Sequence, residues 1–177
     1  MLSTGNAGKA GELARLLDLE IEALDLDVDE TGSTFAENAL LKARAAAATG
    51  TWGLGDDSGL AVSALGGEPG VRSARWAGPS DADRNAALLA RLSGVADRRA
   101  AFVCALAAVA PDGRELIAEG RLDGAIGLEP AGDGGFGYDP IFVLPDGRSL
   151  AELTRDEKNA ISHRGEAARA LRELLSR

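Results

Sequence analysis

The chain has 177 residues, of which 28 are Asp or Glu and 19 are Lys or Arg, so its formal net charge at neutral pH is −9. This acidic balance excludes a protein that coats nucleic acid, because binding along a phosphate backbone needs a basic surface. The mean hydropathy is −0.05, and no apolar run approaches the roughly 20 residues of a membrane span, so we expect no membrane partner.

Four segments have the spacing of helices. A capping-box pattern of Thr34 and Glu37 precedes an alanine-rich segment, and Ser80 is the expected cap of a later helix. In the first and last segments, leucines and alanines recur at helical intervals. The predicted helices cover residues 9–17, 35–48, 81–92 and 162–175.

Strand patterns lie between these helices. Residues 24–29 alternate apolar and acidic side chains, which predicts a half-buried strand. Residues 100–110 and 115–119 are joined by the turn sequence PDGR and predict a β-hairpin, and residues 140–144 predict another short strand. Because helices and strands are interspersed and a hairpin is present, we expect an α/β fold with a mixed β-sheet.

One cysteine and one histidine limit the available chemistry. Cys104 lies in an apolar run, which predicts a small buried hydrophobe and excludes an internal disulfide. With His163 as the single histidine, a histidine-rich zinc site is excluded. The first residues show no basic segment followed by an apolar one, so we expect a cytoplasmic protein, with one domain over residues 1–177.

The sequence TGNAGK at residues 4–9 lies between a short predicted strand and a helix. Free backbone N–H groups and the helix dipole favour an anion there, and Lys9 adds positive charge. Two residues, not four, separate Gly5 from Gly8, and Ala10 follows the lysine, so the loop is not a Walker motif. Composition alone favours a phosphate-binding loop and an ordinary glycine-rich turn equally.

Two adjacent carboxylates, Asp56 and Asp57, lie in the glycine-rich segment 53–60. We expect them at a strand end, where such a pair is costly unless a cation or hydrogen-bond donors lie beside it. Magnesium binding is the functional interpretation, and a solvated acidic turn is the structural one. Asp29 and Glu30 close the acidic strand pattern and are candidates for a further carboxylate.

Two later segments carry groups suited to a flat, charged ligand. The loop at residues 132–137 contains G-x-G-x-x-G, but a strand pattern follows, so it is not a dinucleotide fingerprint. Its aromatic residues Phe136 and Tyr138 either stack on a ligand or lie in the core. Residues 157–165 bring Lys, His and Arg to a helix start, where cations oppose the dipole and need an acceptor from a ligand or a salt bridge.

Taken together, these segments resemble one family, the inosine and xanthosine triphosphate pyrophosphatases. The resemblance extends from Ser3 to the last helix, and the order and spacing of its motifs are highly specific. The motifs are TGNAGK at residues 4–9, TFAENA at 34–39 with Lys42, DDSGL at 56–60, SAR at 73–75, GGFGYDP at 134–140, and Lys158 with SHR at 162–164. The family fold implies an elongated mixed β-sheet flanked by helices, with two lobes, a central nucleotide-binding cleft and a homodimeric assembly.

The resemblance also implies a reaction. Family members hydrolyse ITP, dITP and XTP between the α and β phosphates, giving the monophosphate and pyrophosphate, with magnesium (Mg²⁺) as cofactor. By motif position, Asp57 corresponds to the catalytic carboxylate that acts on the metal and the attacking water. Asp29 falls where the family often has a metal-associated glutamate. The expected metal ligands are therefore Asp29 and Asp57.

The expected substrate contacts follow from the same motifs. The loop at residues 4–9 and Lys42 are assigned to the phosphates, residues 136–139 to the base pocket, and the last motif to the purine. A donor such as Arg164 would pair with a 6-keto oxygen and reject the amino group of adenine. The expected contacts are Thr4, Gly5, Asn6, Ala7, Gly8, Lys9, Lys42, Ser58, Phe136, Gly137, Tyr138, Asp139, Lys158, His163 and Arg164.

Two other functions compete with this hypothesis. One is a pyrophosphatase of the related fold that acts on modified pyrimidine nucleotides, and the other is a non-catalytic nucleotide-binding module. All three lysines of the chain, Lys9, Lys42 and Lys158, fall within the motifs, as does the Asp56 and Asp57 pair. A simple binding module would not need that carboxylate pair, so the sequence favours an enzyme.

Overall fold

The computed structural model describes residues 2–4 and 7–177, with side chains described at residue 4 and from residue 10 onward. The described residues form six β-strands and five α-helices. The strands are β1 (Leu2–Thr4), β2 (Ile21–Ala23), β3 (Trp52–Val62), β4 (Arg99–Val109), β5 (Glu115–Ile126) and β6 (Phe142–Val143). The helices are α1 (Ala7–Leu17), α2 (Phe35–Ala47), α3 (Asp81–Arg91), α4 (Arg155–Ile161) and α5 (His163–Leu175).

The strands form one mixed sheet in the order β2-β1-β3-β4-β5-β6. Strand β1 pairs in parallel with β2 and β3, whereas β5 pairs antiparallel with β6. Strands β4 and β5 are neighbours joined by a tight turn, in which the Ala110 N–H donates to the Arg114 carbonyl at 2.9 Å, so they form the predicted antiparallel hairpin. The mixed α/β class expected from the sequence is confirmed.

The helices begin where their caps predict. Thr34 Oγ1 accepts the Glu37 N–H at 3.1 Å, and Glu37 Oε2 accepts the Thr34 N–H at 3.2 Å, which completes the predicted capping box of α2. Ser80 caps α3 in the same way, with Asp83 as its partner. Helix α4 was not predicted as a separate element. None of the described helices is long and apolar enough to cross a membrane.

The strand predicted over residues 24–29 is absent from the described sheet, because β2 ends at Ala23. The ladder that joins β1 and β2 covers three residue pairs, the last being Thr4 with Ala23. The Leu24 N–H still donates to the Thr4 carbonyl at 2.7 Å, but β1 ends at Thr4, so the described part of that strand offers no partner to residues 25–29. The alternation still governs burial, because the even-numbered side chains of residues 24–30 are half-buried and the odd-numbered ones are exposed.

The chain forms two compact units. The first comprises Met1–Ser58, Val103–Arg121 and His163–Arg177, and the second comprises Gly59–Phe102 and Leu122–Ser162. The single domain and the central cleft expected from the sequence stay predictions.

Alternating side chains of β3 and β4 give the first unit two hydrophobic clusters. On one face, Leu54, Cys104 and Leu106 pack with residues of α1 and α5. On the other face, Ala105 and Ala107 pack with the alanine-rich side of α2. Cys104 is fully buried, as predicted.

The second unit has its own core around Phe142, which is fully buried. The ring of Phe102 lies 4.7 Å from that of Phe142, centroid to centroid, in a tilted arrangement. The strand predicted over residues 140–144 is shorter than expected. A 3-10 helix (Asp139–Ile141) precedes the two residues of β6.

Candidate active site

Asp57 lies in the middle of β3 and not at a strand end as the sequence predicts. Gly53 and Gly55 share its face of the strand, because side chains alternate along a strand. A Cβ added to Gly55 would lie 2.0 Å from the Ala39 carbonyl oxygen, and one on Gly53 would lie 2.0 Å from that of Ala43. The backbone of α2 therefore lies directly against β3, which brings the first turns of this helix to Asp57.

Two side chains of α2 hold the carboxylate of Asp57. Asp57 is nearly buried, with 7% of its surface exposed. Lys42 Nζ lies 3.2 Å from Asp57 Oδ1, and Asn38 Nδ2 donates to Asp57 Oδ2 at 3.1 Å. Burial raises the pKa of Asp57 above its ordinary value, although Lys42 and Asn38 both oppose this shift. The carboxylate is thus a stronger base than an exposed aspartate.

The ammonium of Lys42 is shared among three acceptors. Besides Asp57, it contacts Glu30 Oε1 at 2.6 Å and donates to the Asp56 carbonyl oxygen at 3.0 Å. Burial acts to lower the pKa of Lys42, but the contacts with Glu30 and Asp57 outweigh it, and the net shift is upward. Lys42 therefore stays protonated at neutral pH.

Glu30, and not Asp29, reaches this cluster. The Asp29 side chain is exposed, whereas Glu30 is half-buried and forms the ion pair with Lys42. Exposure alternates along residues 24–30, so one of the two acidic residues faces the helix and the other faces water. The family resemblance named Asp29 as the expected metal ligand, with Glu30 as a further candidate, but it is Glu30 that contacts Lys42.

Asp56 faces the opposite side of β3. Its carboxylate is fully buried, and its Oδ2 atom lies 3.8 Å from Arg164 Nε. Arg164 Nη1 also lies 3.3 Å from both carboxylate oxygens of Glu12, and Nη2 donates to Ser58 Oγ at 3.3 Å. Each of the two aspartates thus has its own positively charged partner, Lys42 for Asp57 and Arg164 for Asp56. Arg164, expected to contact the purine, here contacts acidic and hydroxyl groups of the protein.

In the second unit, the two aromatic residues of the expected base pocket differ in exposure. Tyr138 is 4% exposed, and its hydroxyl donates to the Ser73 carbonyl oxygen at 3.0 Å. Burial raises the pKa of Tyr138 to about 12. Phe136 is 68% exposed. Tyr138 therefore belongs to the core, and the ring of Phe136 is available for stacking.

Asp139 and Lys158 lie beside Phe136. Asp139 Oδ2 accepts the Phe136 N–H at 2.7 Å and forms an ion pair with Lys158. Lys158 Nζ lies 4.6 Å from the centroid of the Phe136 ring, within the range of a cation–π contact. The structure thus brings three of the expected base contacts together.

Helix α3 holds Gly137 at both of its backbone polar groups. The Gly137 N–H donates to Asp81 Oδ2 at 2.6 Å, and the Gly137 carbonyl accepts from Asn85 Nδ2 at 3.0 Å. Gly137 has a φ of +64°, a conformation that suits glycine. The position of Phe136, the preceding residue, therefore depends on α3.

The remaining expected contacts lie at the start of the chain and of α5. Thr4 is buried, and His163 is half-buried at the first position of α5. Ala7, Gly8 and Lys9 begin α1, and the structure describes their backbone but not their side chains. Gly5 and Asn6 lie outside the described residues. The assignment of this loop to phosphate stays a prediction.

Sequence reasoning missed Asn38 and Asn85 as candidate functional residues. Each lies four positions from another polar residue of its helix, Asn38 from Lys42 and Asn85 from Asp81, so each pair shares a helix face. In the alanine-rich α2 this spacing is a signal that points to a polar contact, whereas Asn85 lies among other polar residues of α3 and no such signal marks it. Among the described residues, no group of three or more His, Cys, Asp or Glu side chains is arranged to hold a metal ion.

Comparisons with known proteins cover nearly the whole chain. A family model described as the Ham1 family matches residues 1–174. A dITP/XTP pyrophosphatase of Symbiobacterium thermophilum is 55% identical over 184 aligned residues, covering 98% of this chain and 93% of that protein. One from Nitratidesulfovibrio vulgaris is 52% identical, covering 98% and 94%. The structure of the Staphylococcus aureus Ham1 protein superposes with a TM-score of 0.92 at 40% identity, covering 99% of this chain and 97% of that one.

Proposed function

The chain belongs to the Ham1 family, and from this membership we propose that it hydrolyses deaminated purine nucleoside triphosphates to the monophosphate and pyrophosphate. The expected substrates are ITP, dITP and XTP. The observation that carries the proposal is the match, at 55% and 52% identity over 98% of the chain, to relatives named dITP/XTP pyrophosphatase. Because one family model spans residues 1–174, we assign both compact units to the same enzyme.

Asp57 is the proposed catalytic carboxylate. It is nearly buried, and its raised pKa brings it closer to the range in which a carboxylate accepts a proton from water. Asn38 and Lys42 fix its two oxygens separately, so the carboxylate has a defined orientation. We infer that Asp57 orients the attacking water and accepts its proton.

Lys42 is the proposed cation for the polyphosphate. Three protein acceptors hold its ammonium in place, and its raised pKa keeps it charged. A cation that is already oriented stabilises developing negative charge without reorganisation. Glu30 and Asp57 offset the charge of Lys42, so its ammonium would act on an anionic substrate most strongly when those carboxylates hold magnesium.

Glu30 and Asp57 are the proposed magnesium ligands of the described part of the chain, and their contact with the same lysine indicates that they lie near each other. Carboxylate oxygens suit Mg²⁺, which proteins usually hold through one or two carboxylates together with substrate phosphates. The donor set therefore fits this metal better than one that needs a complete protein cage. Bound there with the nucleotide, magnesium would neutralise polyphosphate charge and orient the reacting phosphate.

The base is assigned to the second unit. The exposed ring of Phe136 offers a stacking surface, and Lys158 and Asp139 beside it offer a donor and an acceptor. The purine contacts expected of His163 and Arg164 stay predictions. A homodimer is expected from the family resemblance, and light scattering on the purified chain tests it. The cytoplasmic location expected from the sequence stays a prediction.

A nucleotide panel tests the proposed reaction. The purified chain is incubated with magnesium and, in separate reactions, with ITP, dITP, XTP, GTP, dUTP or dTTP, and both pyrophosphate and orthophosphate are measured. We expect pyrophosphate as the first product, with the deaminated purines turned over fastest. Orthophosphate as the first product would contradict the bond assignment. Preference for dUTP or dTTP would instead favour the pyrimidine hypothesis, and binding of ITP without turnover would favour a non-catalytic module.

A further inference from the structure

Asn38 is a fully buried polar side chain whose amide is hydrogen-bonded on both sides. Its Nδ2 donates to Asp57 Oδ2 at 3.1 Å, and its Oδ1 accepts the Gly32 N–H at 2.8 Å. A carboxylate only accepts and a backbone N–H only donates, so these partners define the orientation of the amide. Burying an amide is costly unless both ends are bonded, and here both are.

These contacts close a ring around the Asp57 carboxylate. Lys42 joins Asp57 to Glu30, and Asn38 joins Asp57 to Gly32, two residues after Glu30 in the chain. The backbone from residue 30 to residue 32 completes the circuit. Asn38 is therefore the neutral link that ties the segment carrying Glu30 to the strand carrying Asp57.

Gly32 fits closely at this link. A Cβ added there would lie 2.7 Å from both Asn38 Oδ1 and Glu37 Cβ, closer than Cβ atoms are found to other atoms. The segment can therefore approach α2 this closely only with glycine at position 32. The close fit gives the Glu30 segment one position relative to Asn38.

We propose that Asn38 is a positioning residue of the active site, which orients the Asp57 carboxylate and anchors the segment that carries Glu30. This inference rests on the proposed function, because it assigns Asn38 a role through Asp57. A residue that acts through the catalytic carboxylate affects the chemical step more than substrate binding. A residue that merely supports the fold lowers the apparent kcat only by the fraction of enzyme that is unfolded at the assay temperature, which an unfolding curve measures.

Two variants and a matched control separate these roles. Asn38→Ala removes both hydrogen bonds. Gly32→Ala keeps Asn38 but introduces the Cβ that the close fit excludes, and it provides the test if Asn38→Ala fails to fold. Thr34→Ala is the control, because it removes the exposed cap of the same helix without touching Asp57. For each variant, kcat and KM for ITP and the thermal midpoint are measured.

We expect Asn38→Ala and Gly32→Ala to lower kcat by about tenfold or more and to change KM by less than about threefold. Thr34→Ala lowers the thermal midpoint but keeps both kinetic constants. In an Asp57→Asn background, Asn38→Ala causes less than about a further twofold loss, because the two residues act as one unit. A wild-type kcat in Asn38→Ala, a kcat loss no larger than the unfolded fraction of that variant, or fully additive losses would each overturn the positioning role.

Amide hydrogen exchange tests the anchor without any substrate. We expect the Gly32 amide to exchange about tenfold faster or more in Asn38→Ala than in the wild type, and to stay protected in Thr34→Ala. Unchanged Gly32 protection in Asn38→Ala would overturn the anchor even in an active enzyme. If instead the exchange result holds and the wild type releases no pyrophosphate from ITP, the proposed function fails while the anchor of the segment stands.

Discussion

Asp56 and Asp57, adjacent in the sequence, direct their carboxylates to opposite faces of β3, where each meets a different cation. Asp57 contacts Lys42 of α2, and Asp56 lies beside Arg164 of α5. The alternation of side chains along a strand produces this separation. Because the two carboxylates lie in different surroundings, substitutions at the two positions should have different effects.

We expect Asp57→Asn to lower kcat for ITP by about 10²- to 10⁴-fold, because an amide cannot accept the proton of the attacking water. The fold should persist, since the substitution keeps the size of the side chain. Asp56→Asn is the comparison. It should lower the free energy of unfolding by about 1–3 kcal/mol, because Arg164 loses a buried charged partner, and retain more activity than Asp57→Asn. Pyrophosphate release and urea unfolding measure the two effects, and near-wild-type turnover in Asp57→Asn would remove it from the catalytic role.

Glu30→Gln and Asp29→Asn test which acidic residue belongs to the site. We expect Glu30→Gln to raise the magnesium concentration needed for half-maximal activity by about 10- to 100-fold, because a carboxylate ligand is lost. Asp29→Asn should change it by less than about twofold, since the Asp29 side chain is exposed. Magnesium titrations of the steady-state rate measure both. The reverse order of effects would assign the ligand to Asp29.

Asn85→Ala should weaken binding of the substrate more than it slows the reaction. The substitution frees the Gly137 carbonyl and loosens the residue that follows Phe136. We expect KM for ITP to rise by about three- to tenfold with kcat changed by less than about twofold, the pattern of lost uniform binding. Asn159→Ala, an exposed asparagine of α4, is the control and should keep both constants. A drop in kcat at unchanged KM would contradict a role in base binding.

Two glycine-to-alanine substitutions should have opposite effects on stability. Gly55→Ala places a Cβ 2.0 Å from the Ala39 carbonyl oxygen, so we expect a loss of about 1–3 kcal/mol or more in the free energy of unfolding. Gly11→Ala lies on the exposed side of α1 with no atom within 4 Å of the added Cβ, and it should gain roughly 0.5–1 kcal/mol through helix propensity. Chemical denaturation measures both. Equal stabilities would contradict the direct packing of α2 on β3.

Tyr138 is the single tyrosine of the chain, so its ionisation can be followed by absorbance without overlap from another tyrosine. We expect a midpoint of about 12 in the folded protein and one near the ordinary value of about 10 in the unfolded chain. Because the pKa of Tyr138 is higher in the folded protein, its neutral hydroxyl contributes to the free energy of unfolding. This contribution is complete below about pH 10 and is lost as the pH rises through about 12. A native midpoint near the ordinary value would show that the hydroxyl is not buried against Ser73.

Much of the fold could be predicted from local patterns. The capping residues Thr34 and Ser80 defined the starts of α2 and α3, because a cap is a short-range contact between a side chain and the next helical turn. The hairpin of β4 and β5 followed from its turn. The strand predicted over residues 24–29 was wrong. Alternation indicates which side chains face the protein, whereas a strand also needs a neighbouring backbone to pair with.

The site was less accessible to sequence reasoning because its contacts are long-range. Motif position selected Asp57 and Lys42, which the structure brings together. Motif position also selected Asp29, but Glu30 contacts Lys42 and Asp29 is exposed, because the side-chain direction of each residue in this segment depends on its packing against α2. The partners of Arg164 depend on the packing of α1, β3 and α5, and no local pattern reports that packing.

The close packing of α2 on β3 also decides which aspartate faces Lys42. Shifting β3 by one residue would turn Leu54 toward the backbone of α2. That backbone leaves no room for a Cβ at the positions now held by Gly53 and Gly55. Such a shift would also exchange the surroundings of Asp56 and Asp57. The absence of side chains at Gly53 and Gly55 thus defines the register of β3 against α2. The identity of the proposed catalytic carboxylate therefore depends on two glycines that take no part in the chemistry.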